Sequence, residues 1–153
     1  MGRGSPLCHW RMANVPIPEA HLAAVLGALV LDYADGHSLV AQQPVRRIVG
    51  ASMIALGIML AGWAVVAAEQ VDMARPGRLV PRGPYTISRN PMYVAWHVLY
   101  CGLLILTGSR WMLRLLPAVI VVTHFVIRRE EQQLRRAFGD EFEHYCSLVR
   151  RYL

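Results

Sequence analysis

Twelve residues, running Arg82-Gly-Pro-Tyr-Thr-Ile-Ser-Arg-Asn-Pro-Met-Tyr93, hold two arginines, two tyrosines and two Gly/Pro breaks between long apolar segments. A plain connector between helices needs none of that chemistry. Some forty residues on, Arg128-Arg129-Glu130-Glu131 stands at the end of another apolar run. Carboxylates can take an ammonium and ribose hydroxyls, and an arginine with free helix-end N–H groups can take a carboxylate. The two stretches together are therefore equipped to hold a zwitterionic cofactor. The same charges also read as interfacial residues pairing with one another; the Gly-Pro-Tyr turn and the Asn-Pro-Met-Tyr entry nearby favour a site.

The elements that must position these residues are helices. The chain has 153 residues, of which 55% are hydrophobic and 17% charged, which is poor in charge for a soluble domain and long enough for one domain, 1–153. A polar, proline-containing tail covers 1–19. Leu22–Leu31 is a marginal span, and Ile48–Ala68 is twenty-one residues without a charge. Gly50, Gly57, Ala61 and Gly62 would let a partner helix approach it closely. A third segment, Met92–Gly108, should start at Asn90-Pro91, with asparagine as the cap and proline in the first turn. Trp111–Ile127 follows after a very short link, so the third and fourth segments should form an antiparallel hairpin, with a kink at Pro117. The fourth helix should continue to Phe138 and stop at Gly139, with Asp140 capping the next. Phe142, Tyr145, Val149 and Tyr152 then recur at helical spacing, which reads as an amphipathic helix on a bilayer surface. The expected fold is all-α, a membrane helical bundle of about four transmembrane helices plus that interfacial helix.

All sixteen basic residues are arginine and the net charge is +6. They lie beside apolar runs rather than in one patch, so membrane topology explains them better than nucleic acid. If all four segments span, twelve arginines fall on the side of the two tails and the 69–91 loop, and four (Arg46, Arg47, Arg110, Arg114) on the other. The positive-inside rule then places both termini and that loop in the cytoplasm. Cys8, Cys101 and Cys146 show neither CxxC nor His/Cys metal spacing, so neither a metal site nor a disulfide framework is expected, and the first twenty residues do not read as a signal peptide.

Gly83-Pro84-Tyr85, Ser88-Arg89-Asn90-Pro91-Met92-Tyr93 and, later, Arg129-Glu130-Glu131-x-x-Leu134-x-x-x-Phe138-Gly139-x-x-Phe142-x-x-Tyr145 resemble the isoprenylcysteine carboxyl methyltransferase and phospholipid methyltransferase superfamily of membrane enzymes, over about residues 45 to 153. The resemblance implies S-adenosylmethionine as cofactor, held by the first motif and the Glu-Glu pair, and a lipid-like or isoprenoid acceptor entering from the bilayer. Eukaryotic members typically have histidine where this chain has Asn90 and glycine where it has Ala95. Asparagine does not titrate near neutral pH, so no general base is expected at that position.

Arg89, Glu130 and Glu131 are the catalytic candidates. Gly83, Tyr85, Arg89, Asn90, Pro91, Tyr93, Arg129, Glu130 and Glu131 are the cofactor-binding candidates. A carboxylate acceptor would need only a cation to orient it, whereas an amine or hydroxyl would need a base, with Glu130, Glu131 or Tyr93 nearest. His97, one turn beyond Tyr93, and His124, seven residues before Glu131, are candidates for the acceptor pocket, with helix packing as the alternative for each. The expected partners are the bilayer and a lipophilic acceptor, with no nucleic acid and no protein partner evident. Two other readings stay open: an NADPH-dependent membrane reductase of the sterol-reductase-like type, and a non-catalytic membrane module with a degenerate site.

Overall fold

The computed structural model describes residues 19–36, 43–69 and 82–153. The 1–18 tail with Cys8, and Arg75 and Arg78 of the 69–91 loop, lie outside the described residues. Five α-helices follow in order: α1 Glu19–Ala34, α2 Pro44–Glu69, α3 Pro91–Thr107, α4 Arg110–Phe138 and α5 Asp140–Leu148. A short 3-10 turn, Gly83–Thr86, precedes α3.

α2 and α4 are long and apolar enough to cross a membrane, and only 17% and 22% of their most apolar windows are buried within the protein. Ile48, Ile58 and Met59 of α2, and Leu113, Val121 and Phe125 of α4, are exposed. A soluble core helix would bury such side chains; here they form a belt suited to lipid. α3, at 17 residues, and α1, at 16, are shorter.

The tightest pairings are α2 with α3 and α1 with α4. Glycines make the first. A Cβ on Gly57 would sit 2.6 Å from Leu99 Cγ, and one on Gly102 would sit 3.0 Å from the Ile54 backbone nitrogen, so the two helices meet at backbone distance. Gly50 does the same against Leu106, whereas Gly62, expected to help, faces nothing within 4 Å. Ala24 and Ala28 of α1 pack with Tyr100, Met112 and Val119 in a separate core. At one end of the bundle Ser109 accepts from Met112 N at 2.9 Å to cap α4 and also bonds Asp32 of α1. Trp111 Nε1 donates to Asp35 at 2.7 Å beside it, and Arg46 of α2 lies against Gly108. The four long helices therefore alternate in direction, and the start of α3 shares the opposite end with the end of α4.

α3 and α4, joined by two residues, run antiparallel as expected, although the glycine seam packs α3 more closely on α2. Several other expectations need correction. Asn90 stands at the N-cap of α3 but makes no side-chain cap; its amide is used elsewhere. Gly139 ends α4 and is itself the N-cap of α5, so Asp140 is the first helical residue rather than the cap. α5 stops at Leu148, and Val149 is extended. Phe142, Tyr145 and Val149 fold inward into a small core with Phe138 and Cys146 instead of facing outward.

Gly57→Val should lower stability by about 1–3 kcal/mol, the usual range for overpacking. Gly62→Ala should be neutral or slightly stabilising. Denaturation of the detergent-solubilised protein, followed by circular dichroism, separates the two.

Candidate functional site

The local chain folds the Arg82–Tyr93 stretch tightly against the bundle end. Gly83 has φ +55°, open to glycine and strained for other residues, and a Cβ there would lie 3.0 Å from both Ala67 and Trp63 of α2. The turn it opens is closed by Ile87 N and Ser88 N, which both donate to Pro84 O. Ser88 then forms a parallel bridge with Arg150, in which Arg89 N donates to Arg150 O at 2.9 Å. Tyr145 holds the other side, its hydroxyl donating to Tyr85 O at 2.7 Å. Burial pushes the Tyr145 phenol above its usual range, which keeps it a donor. Tyr85 is pushed up too, first by burial and then by the charge of Glu130.

The centre of the cluster is Glu131, whose side chain is 8% exposed. Arg151 Nε and Nη2 both reach its Oε2, at 3.0 and 2.8 Å. Arg89 Nη2 lies 3.5 Å from Oε1, and Asn90 Nδ2 approaches the same oxygen at 3.5 Å. The carboxylate is thus held by two arginines, and its hydrogen bond raises the Arg151 pKa. Asn90 Nδ2 also donates to Arg151 O at 3.1 Å, and with the amide set by these acceptors its oxygen does not cap α3. Arg89 Nη1 meets Cys146 Sγ, while its Nε is buried with no hydrogen-bond partner. Glu130 points to a different neighbour, accepting from Tyr93 Oη at 2.7 Å.

Beside this cluster lies a cavity of about 360 Å³, lined by Met53, Tyr93, Val94, His97, Val98, Cys101, Ile120, Thr123, His124 and Tyr152. Its wall is almost wholly apolar. Tyr93 belongs to both places, with its ring on the cavity and its hydroxyl on Glu130. His97 Nδ1 is 2.8 Å from Tyr93 O; a carbonyl only accepts, so that nitrogen carries the proton. His124 shares a 2.7 Å hydrogen bond with Tyr152 Oη.

Of the residues singled out from sequence, Tyr85, Arg89, Asn90, Tyr93, Glu130 and Glu131 come together at one end of the bundle, with Gly83 and Pro91 shaping the backbone. His97 and His124 line the same cavity. Arg129 is exposed, and no hydrogen bond or ion pair among the described residues joins it to the cluster. Arg151 and Tyr152 were missed. Their only signal was an Arg-Tyr pair after a helical periodicity that ran on through them.

Residues 45–141, more than half of the chain, match the sequence model of the phospholipid methyltransferase family. The chain belongs to the phospholipid methyltransferase family. No curated protein matches it significantly, and neither does any solved structure. Membership supports membrane-associated methyl transfer to lipid-like substrates, and the apolar belt and cavity accord with it.

Glu131→Gln keeps the shape but removes the charge shared by two arginines, and should cost about 1–3 kcal/mol. In hydrogen exchange the Arg89 amide, which is bonded to Arg150 O, should lose protection. Glu130→Gln, which still accepts from Tyr93, should leave that amide protected.

Proposed function

We propose that this protein transfers a methyl group from S-adenosylmethionine to an amphiphilic acceptor seated in the apolar cavity, at the cytoplasmic face of a membrane it crosses four times. One observation carries the reading. Unspent polar groups border an apolar cavity, and Tyr93 stands on the boundary between them. Family membership supplies the reaction class.

The residues present fit the cofactor's amino-acid end. Arg89 Nε is a buried donor without a partner, suited to a carboxylate. No side chain caps α3, so its first N–H groups also remain for an anion. Glu130 engages Tyr93 through Oε1 alone, which leaves Oε2 for an ammonium or a ribose hydroxyl. Glu131 is engaged on both oxygens, so its part is to fix Arg89, Asn90 and Arg151 rather than to receive a ligand.

The bound cofactor supplies a methyl group already activated on a sulfonium, so the protein has little covalent chemistry left to do. Its work is alignment and the exclusion of water. The cavity holds the acceptor's apolar part, and the bundle end holds the polar groups, with Tyr93 between them. The arginine asymmetry of the loops supports a cytoplasmic site, in keeping with the positive-inside rule.

Calorimetric titration of the purified protein with S-adenosylhomocysteine should give micromolar binding. Arg89→Ala and Glu130→Gln should each weaken it about tenfold, the scale of one charge-assisted hydrogen bond. Binding of NADPH with no binding of S-adenosylhomocysteine would sink the proposal. Radiolabelled methyl transfer into total lipid extracts then tests the acceptor, with label in the organic phase as the expected result.

A further inference from the structure

The segment after α5 joins the polar cluster to the cavity. Arg151 is held at both ends. Its guanidinium forks onto Glu131, and its carbonyl accepts from Asn90 Nδ2 at 3.1 Å and Ser88 Oγ at 3.3 Å. The next residue, Tyr152, lies outside any helix, forms part of the cavity wall and bonds His124 on α4. Its place therefore depends on the anchoring of Arg151 and on that one hydrogen bond.

The other histidine and tyrosine on the wall have each spent a proton. His97 donates Nδ1–H to Tyr93 O and Tyr93 donates its hydroxyl to Glu130, which leaves both as acceptors. The single His124–Tyr152 bond instead leaves that pair one donor and one acceptor, whichever way it runs. Around it the wall is valine, isoleucine, methionine and cysteine, with Thr123 beside His124 as one further hydroxyl.

We propose that Tyr152 is a positioning residue for the acceptor: with His124 it forms the polar end of the cavity that receives a hydroxyl or amine head group, and the Arg151–Glu131 latch sets where it stands. The identity of the occupant as methyl acceptor rests on the methyl-transfer reading. The latch and the head-group contact do not.

Cys101 lies on the same wall and reports on the cavity without turnover. Full-length protein in phosphatidylcholine nanodiscs would be alkylated with N-ethylmaleimide, and the rate at Cys101 read by peptide mass spectrometry. Tyr152→Ala and Arg151→Gln should each raise that rate about fivefold, as expected when one hydrogen bond no longer holds the wall closed. Cys146 in the same digest should keep its rate in Tyr152→Ala, which separates a local opening from loss of the fold. Dodecanol and dodecylamine should protect Cys101 better than dodecane does, and Tyr152→Phe, which keeps the ring, should abolish that difference. Unchanged Cys101 rates in both opening variants would overturn the latch. Equal protection by dodecane and dodecanol in the native protein would overturn the head-group contact. Failure of S-adenosylhomocysteine to bind, with the Cys101 pattern intact, would overturn methyl transfer and support the latch.

Discussion

A carboxylate removed from water must find cations or hydrogen-bond donors, because its unpaired burial costs several kcal/mol. Glu131 is that carboxylate, and the rest of the site depends on it. Its cations come from two segments far apart in the chain, Arg89 just before α3 and Arg151 after α5. Both backbones must converge on the end of α4, and once there they pair with each other through Arg89 N and Arg150 O. Breaking one arm would leave a buried charge half-satisfied, which is why loop and tail hold together without a sheet or a disulfide.

The cavity follows from a second constraint. α3 and α4 are sequence neighbours, but each has a stronger attachment elsewhere. Glycines at 50, 57 and 102 bring α3 to α2 at backbone distance, and Ala24 and Ala28 bring α1 against α4. The space between α3 and α4 is then filled by side chains from a distance, and where these do not meet the cavity remains. Tyr152, Tyr93 and Met53 border it from three different elements. Close packing by small residues in one seam thus creates room in the next.

Local signals were legible in the sequence. The apolar runs, the helix start at Pro91, the continuation of α4 to Phe138 and the meeting of Arg89 with Glu131 and of Tyr93 with Glu130 all follow from periodicity, proline chemistry and a short link. What escaped was non-local. Val149 and Tyr152 continue the spacing of Phe142 and Tyr145, so periodicity alone extends the helix four residues too far. The competing partner, Ser88, lies 63 residues before Arg151, and nothing in the pattern of either segment marks the pairing. Asn90 was misread for a related reason. An asparagine before proline is a strong cap by propensity, but a buried carboxylate and the Arg151 carbonyl draw its Nδ2, and in that orientation its oxygen makes no cap to the helix.

The chain buries a second acid, and the contrast between the two separates structure from function. Asp32 is 1% exposed and sits at the start of α4, bonded to Ser109, which caps that helix. A helix N-terminus favours negative charge, so the 29-residue helix itself helps to stabilise this acid. It fastens α1 to α4 at the end of the bundle away from the cavity. Glu131 lies seven residues before the end of the same helix, too far inside it for either terminus to matter, and arginines must offset its burial. Glu131 has no helix N-terminus to help it, and its position makes sense if the arginines and asparagine it gathers are needed there, beside Tyr93 and a cavity with a polar pair on its wall.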